Sequence, residues 1–166
     1  MRLIGIVGHK NGGKTTLTER LVAEMTSRGL TVSTLKRSHH ALDLDSPGTD
    51  SFRHRAAGAH QVALVSDARL TLMEERAGLS LEDALARLAP CDVALAEGWK
   101  RGTHFRIEAW RPETGAQPLA QTDAGIAAVA AGATSIRAMA ASGPCDVTCP
   151  VFDLNDVAAI ADFVLR

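Results

Sequence analysis

The chain has 166 residues, 46% of them hydrophobic, which suits one globular domain over residues 1–166 with its own core. A formal net charge of -1 lacks the positive field that nucleic-acid binding leaves in a sequence, so no nucleic-acid partner is expected. No apolar run approaches the roughly 20 residues that span a bilayer, and residues 1–7 read as a strand rather than a leader; no membrane partner is expected, and a cytoplasmic location is.

Leu3 to Val7 form a short apolar run, and Leu17, Leu21, Val22 and Met25 then recur at helical spacing up to Gly29, a C-cap residue. A β-like run from Thr31 to Leu35 follows, so the first 36 residues read as a βαβ unit with parallel strands and a right-handed crossover. Lys36 to Pro47 is polar and without period, a loop; Ser46-Pro47 starts a helix over Thr49 to Ala57 that Gly58 ends. Gln61 to Val65 and Arg69 to Met73 read as a β-hairpin about Ser66-Asp67-Ala68. Ser80, with Asp83 three positions on, caps a helix whose face is Leu81, Ala84, Leu85 and Leu88 and which Pro90 stops.

Cys91 to Ala96 has the continuous apolar character of a buried strand and ends at Glu97-Gly98-Trp99-Lys100. His104 to Trp110 alternates Phe105, Ile107 and Ala109 with His104, Arg106 and Glu108, the pattern of a half-exposed strand. Gly125 to Ala131 and Val147 to Phe152 supply two more strands, and Asp153 or Asn155 caps a last helix with Val157, Ile160, Ala161 and Val164 inward. The expected class is α/β, three-layered, with a mostly parallel central sheet and a β-hairpin extension. Cys91, Cys145 and Cys149 contain no Cys-x-x-Cys pair and read as buried free thiols. Trp99 and Trp110 read as core or interface anchors.

The chemistry concentrates in Gly8-His9-Lys10-Asn11-Gly12-Gly13-Lys14-Thr15, which satisfies G-x-x-x-x-G-K-[ST] between a strand and a helix and makes the expected α/β class a three-layer P-loop NTPase fold. Glycines let successive backbone N–H groups turn toward phosphate oxygens where a Cβ would block approach, and the helix adds its positive end. Residues Gly8 to Thr16 are therefore the expected triphosphate site, with Lys14 neutralising the β and γ phosphates and the Thr15 hydroxyl ligating Mg²⁺. Mg²⁺ also needs a carboxylate. Asp92 opens its strand at the far end, whereas Glu97 lies at the carboxyl end, where ligands of open α/β sheets bind, so Glu97 is the expected partner of Thr15; Asp45 and Asp50 are possible second contributors. Of the 18 basic residues 14 are Arg, and the four Lys (Lys10, Lys14, Lys36, Lys100) all sit in loops leaving strand ends. A rim of Lys36, Arg37, Lys100 and Arg101 suits a second, polyanionic ligand or, equally, is a solvated set of surface charges. The adjacent His39 and His40 lack the spacing of a metal pair.

Several stretches together resemble the molybdopterin-guanine dinucleotide biosynthesis protein B family, MobB: the phosphate loop, Lys36 with His39 and His40, the run from Asp45 to Arg53, Ala57-Gly58-Ala59, Glu97-Gly98-Trp99-Lys100, and the closing Phe152 to Val157. The resemblance implies a GTP-binding homodimer that assists a guanylyltransferase, MobA, in attaching GMP to molybdopterin, with Mg²⁺ bound and GTP hydrolysed only weakly. It also implies that the pterin approaches the basic rim. Ala41 follows the His pair where an Asp is expected, and no Asp follows Ala131 to read a guanine edge, so the preference for GTP comes from the resemblance alone. Two other classes use the same loop: a small-molecule kinase, which needs an acceptor site and a positioned base, and a nickel-delivering GTPase, which needs a tight Cys/His constellation.

Overall fold

The first apolar run forms β1 (Arg2–Val7), and the chain continues through α1 (Lys14–Ser27), β2 (Val32–Lys36), α2 (Asp50–Ala56), β3 (Gln61–Val65) and β4 (Leu70–Glu74). It then passes through α3 (Leu81–Leu85), β5 (Val93–Glu97), β6 (Phe105–Trp110), β7 (Ile126–Ala131), β8 (Val151–Asp153) and α4 (Val157–Leu165). This computed structural model describes residues 1–38, 45–136 and 147–166, so His39, His40, Ala41 and Cys145 lie outside the described residues. Two compact units result, one of Met1–Arg37 with Ala84–Arg166, the other of Ser38–Asp83.

In the larger unit six strands form a sheet of order β2-β5-β1-β6-β7-β8, each pair parallel. The βαβ reading is right in strand direction, but β1 and β2 are not neighbours; β5 lies between them. The reason is burial: Val93 to Ala96 are apolar throughout and at most 2% exposed, so this strand belongs in the interior of a sheet covered on both faces. One face carries the larger core cluster, in which Leu17, Leu21 and Met25 of α1 and Ile160 and Val164 of α4 meet Ile4, Leu95 and Ile107. Each such side chain removed fully from water contributes about 1.5–3 kcal/mol. The opposite face carries Val7, Trp110, Val129 and Ala131 under Ala120.

That second cluster changes the reading of β6. The alternation is real, but the expected exposed face is buried: Arg106 is 5% and Glu108 0% exposed. Sitting between β1 and β7, the strand has Ile107 and Ala109 toward the helices and Trp110 in the cluster beneath the 116–123 segment.

Helix ends follow local chemistry. Gly29, at φ 82, ends α1 as the left-handed residue, with Leu30 N–H donating to Met25 O (3.1 Å) and Gly29 N–H to Thr26 O (3.0 Å). The Ser80 hydroxyl accepts from Asp83 N–H (3.0 Å) while the Asp83 carboxylate accepts from Ser80 N–H (3.2 Å), the expected capping exchange, although α3 stops at Leu85, short of Leu88. Asp156, not Asp153 or Asn155, caps α4 by accepting from Ala159 N–H (3.1 Å), because Asp153 is already engaged by Asn155 N–H (2.8 Å). The last strand is also shorter than expected, starting at Val151.

In the smaller unit Thr49 caps α2 by accepting from Phe52 N–H (3.3 Å), so Pro47 precedes the helix rather than opening it. The expected hairpin forms, with β3 and β4 antiparallel and Val65 opposite Leu70. It leaves Leu64, Val65, Leu70 and Leu72 exposed. No helix among the described residues is long and apolar enough to cross a membrane.

Candidate functional site

The loop from Gly8 to Thr16 runs between β1 and α1 at the carboxyl edge of the sheet. Gly8 has φ 138 and Gly13 φ 98, and Asn11, at φ 64, is a non-glycine residue in the left-handed region, which Asn tolerates. A Cβ on Gly12 would stand 2.7 Å from the Ala109 carbonyl oxygen, and one on Gly8 would collide with the same atom. The loop therefore lies against the end of β6 with no room for a side chain at positions 8 and 12. Gly13 gives α1 no side-chain cap, and the first turn contains no acid, so the helix opens with N–H donors and uncompensated positive potential.

Lys14 folds back over the loop, its ammonium donating to His9 O (2.7 Å) and Gly8 O (3.2 Å). Burial pushes its pKa below the usual lysine value; Glu97 opposes that shift, and the nearby charges of Lys100 and Lys36 reinforce it. Because β1 pairs directly with β5, with Ile6 opposite Glu97, the buried Glu97 carboxylate arrives beside the first turn of α1. The Thr15 hydroxyl donates to it at 3.2 and 3.4 Å, and Lys36 Nζ lies 3.6 Å from Oε1. Asp92, at the other end of β5, accepts from Thr31 N–H (2.8 Å) and the Thr31 hydroxyl (2.7 Å), far from this chemistry. Lys10, Arg37, Lys100 and Arg101 are exposed. Of these, Lys100 is held by its backbone, the Arg106 guanidinium donating to its carbonyl at 2.5 Å. Glycine at position 98 is required by φ 98 and by Arg37 O, 3.1 Å from where a Cβ would stand.

A cleft of about 340 Å³ opens over Gly13 to Thr16, bounded also by Asn11 and Arg111. Residues that a nucleoside triphosphate and Mg²⁺ require are thus together: a glycine-bearing loop at a helix N-terminus, an ammonium, and a hydroxyl paired with a carboxylate.

The family model for molybdopterin guanine dinucleotide synthesis protein B matches residues 3–132. The chain belongs to the MobB family. It is 34% identical over 165 residues to the molybdopterin-guanine dinucleotide biosynthesis adapter protein of Haemophilus influenzae, covering 98% of this chain and 86% of that one. To the protein of the same name from Escherichia coli it is 31% identical over 170 aligned positions, covering 99% and 91%. The crystal structure of a MobB homologue from Bacillus stearothermophilus superposes with a TM-score of 0.71 at 30% identity, covering 99% of this chain and 96% of that one.

Within this MobB chain, three residues at the site escape a reading of sequence alone. Glu108 accepts from Leu119 N–H (2.8 Å) and Ala120 N–H (2.9 Å), holding the segment whose Gln117 carbonyl meets His9 Nε2 of the phosphate loop (3.2 Å). Burial raises the Glu108 pKa against the lowering effect of those two N–H groups. Arg106 forms a two-pronged pair with Asp123 (2.6 and 3.0 Å), which holds that carboxyl below the usual range. Arg111 leaves the end of β6 beside Gly13. Polar residues alternating on a strand that follows a phosphate loop are the only signal, and alternation does not say whether the polar face is wet.

Outcomes differ among the other residues singled out in the sequence. Cys91 and Cys149 are half-buried rather than buried, whereas Trp99 and Trp110 are buried as expected. Asp45 is held within its own unit by Ser46 N–H (3.0 Å) and by the hydroxyls of Thr49 and Ser51 (both 2.9 Å), and Asp50 is exposed at the start of α2. Among the described residues no group of three His, Cys, Asp or Glu side chains is arranged to hold a metal ion.

Proposed function

We propose that this chain is a GTP-binding accessory protein of molybdenum cofactor biosynthesis, acting with a MobA-like guanylyltransferase that converts molybdopterin to molybdopterin guanine dinucleotide. Its relatives are named adapter proteins of that biosynthesis, and family membership carries the role to this chain. The observation that carries the nucleotide part is the meeting of Lys14, Thr15 and Glu97 at a loop whose Gly8 and Gly12 pack against the end of β6.

In this reading the backbone N–H groups of residues 8–16 and the Lys14 ammonium hold the phosphates. Thr15 and Glu97 would hold Mg²⁺, which when bound would supply positive charge to offset that of the phosphates. Lys36 and Lys100 add positive potential at the mouth, and with Arg37 and Arg101 they form the rim toward a second anion, the pterin. Hydrolysis of GTP is taken to be weak in this reading, as the family resemblance implies. A homodimer completes the reading: the exposed Leu64, Val65, Leu70 and Leu72 of the hairpin are an apolar surface of the kind that a second copy covers.

Calorimetric titration of GTP and ATP, each with and without Mg²⁺, tests the site; GTP preferred and dependent on Mg²⁺ is the expected result. Rescue of molybdoenzyme activity in cells lacking the relative, together with co-purification of a guanylyltransferase, tests the pathway. Stoichiometric transfer of the γ-phosphate to a small metabolite would make the chain a kinase instead. Sedimentation of the full chain reads the dimer.

A further inference from the structure

We propose that His9 is a positioning residue of the phosphate loop, its ring hooking the loop to a strap, residues 116–123, that alternate side chains of β6 hold against the sheet. The inference rests on the nucleotide reading above and adds what keeps the loop in shape to receive phosphates.

The strap is fastened at three places, in reverse order along β6. Trp110 Nε1 donates to Ala116 O (2.8 Å), the Glu108 carboxylate accepts from Leu119 N–H (2.8 Å) and Ala120 N–H (2.9 Å), and Arg106 forms its two-pronged pair with Asp123 (2.6 and 3.0 Å). Residues 106, 108 and 110 alternate along the strand and so share one of its faces. Gln117 is exposed, yet it lies between the first two fastenings, which fix the direction of its carbonyl.

His9 Nε2 meets that carbonyl at 3.2 Å, across 108 positions of sequence. A carbonyl oxygen only accepts, so Nε2 carries the proton. The backbone of the same residue gathers the far side of the loop: His9 O accepts from Gly12 N–H (3.1 Å) and from the Lys14 ammonium (2.7 Å). A shift of His9 therefore carries Gly12 and Lys14 with it. The end of β6 blocks the loop's approach at Gly8 and Gly12, whereas the His9 hook resists its departure. A loop ordered before its ligand arrives loses less conformational freedom on binding, and the difference appears as affinity for any ligand that bears phosphates, whatever base it carries. Glu108 and Trp110 act on the site in the same way, through the strap and without touching the ligand.

The test uses the full chain, calorimetric titration with GTP and with inorganic tripolyphosphate in Mg²⁺, and a urea melt of each variant. His9→Ala should weaken both titrants by the same factor, about fivefold, the worth of one hydrogen bond of ordinary net strength, and His9→Gln, which keeps a donor at similar reach, should restore affinity to within about twofold. Glu108→Gln alone should weaken both titrants by a similar factor. In the His9→Ala background it should bring no further loss of affinity, although its effect on the urea midpoint persists there. Trp110→Phe, which deletes the donor to Ala116 O, runs the same cycle if Glu108→Gln does not fold. Nitrogen NMR of the neutral His9 ring should show Nε2 protonated. Wild-type affinity in His9→Ala, equal losses in His9→Ala and His9→Gln, additive losses in the double variant, or a ring protonated at Nδ1 overturns the proposal. A folded Lys14→Ala that binds tripolyphosphate unchanged sinks the phosphate-loop reading itself, a result that no His9 variant can mimic.

Discussion

Thr15 and Glu97 stand 82 residues apart in sequence and meet through a hydroxyl that donates to the carboxylate at 3.2 Å. The contact joins the first turn of α1 to the end of β5, and in the proposed function it brings together the hydroxyl and carboxylate that would hold a magnesium ion. Glu97→Ala should leave metal-free nucleotide binding nearly intact and lower Mg²⁺ affinity by about tenfold or more. Titrating Mg²⁺ at fixed GTP measures this; a wild-type magnesium response in the variant removes Glu97 from the site.

Gly12→Ala places a Cβ 2.7 Å from Ala109 O and 3.1 Å from His9 O. Both neighbours are backbone and have little freedom to give, so the loop must move away from β6. The expected costs are about 1–3 kcal/mol in stability, typical of overpacking, and loss of nucleotide binding in a protein that still folds. Chemical denaturation and calorimetry on the same sample separate the two effects.

Asp123→Ala strands the buried Arg106 guanidinium, whose side chain is 6% exposed against 39% for Asp123. The expected destabilisation is about 3 kcal/mol, the low end for a buried pair because solvent reaches the carboxylate. Arg106 lowers the folded-state pKa of Asp123, so this stabilisation is complete above the unfolded value of about 3.9 and disappears as pH falls through the folded value. Wild-type and variant stabilities should therefore converge in acid. Curves that stay parallel would show that the pair contributes by packing alone.

Glu108→Gln replaces a side chain that accepts from two N–H groups with one whose amide offers a single oxygen. The expected cost in acid is about 1–3 kcal/mol. Burial raises the folded pKa of Glu108, so the folded protein binds the extra proton and wild-type stability falls as pH rises from about 4.3 through that raised value. The gap between the two proteins should narrow over this window. Urea melts from acid to neutral pH report it, and a gap that widens contradicts the assignment of burial as the cause.

Much of the fold was legible because its signals are local. The phosphate loop, the Gly29 termination, the Ser80–Asp83 exchange and the hairpin all depend on residues within a few positions of one another. Strand order was not legible, since nothing between Lys36 and Val93 announces that β5 enters between β1 and β2. The burial of Arg106 and Glu108 was hidden for a related reason: their partners, Asp123 and the Leu119 and Ala120 N–H groups, come 11 to 17 positions later in irregular chain. Of the site, Lys14, Thr15 and Glu97 follow from motif and strand polarity. Arg111 does not, because an arginine after a strand looks like any surface charge until the loop is seen against it.

The two ionisable side chains on β6 also constrain how the chain finds its pairing. Arg106 and Glu108 lie two apart, on the face away from α1, while Ile107 and Ala109 fill the cluster beneath that helix. A slip of one position would exchange the faces, thrusting a guanidinium and a carboxylate into hydrocarbon and stripping both of their partners. The charges that tie down the loops around the phosphate site thus also penalise the slipped register, so the same two side chains select the native pairing of the strand.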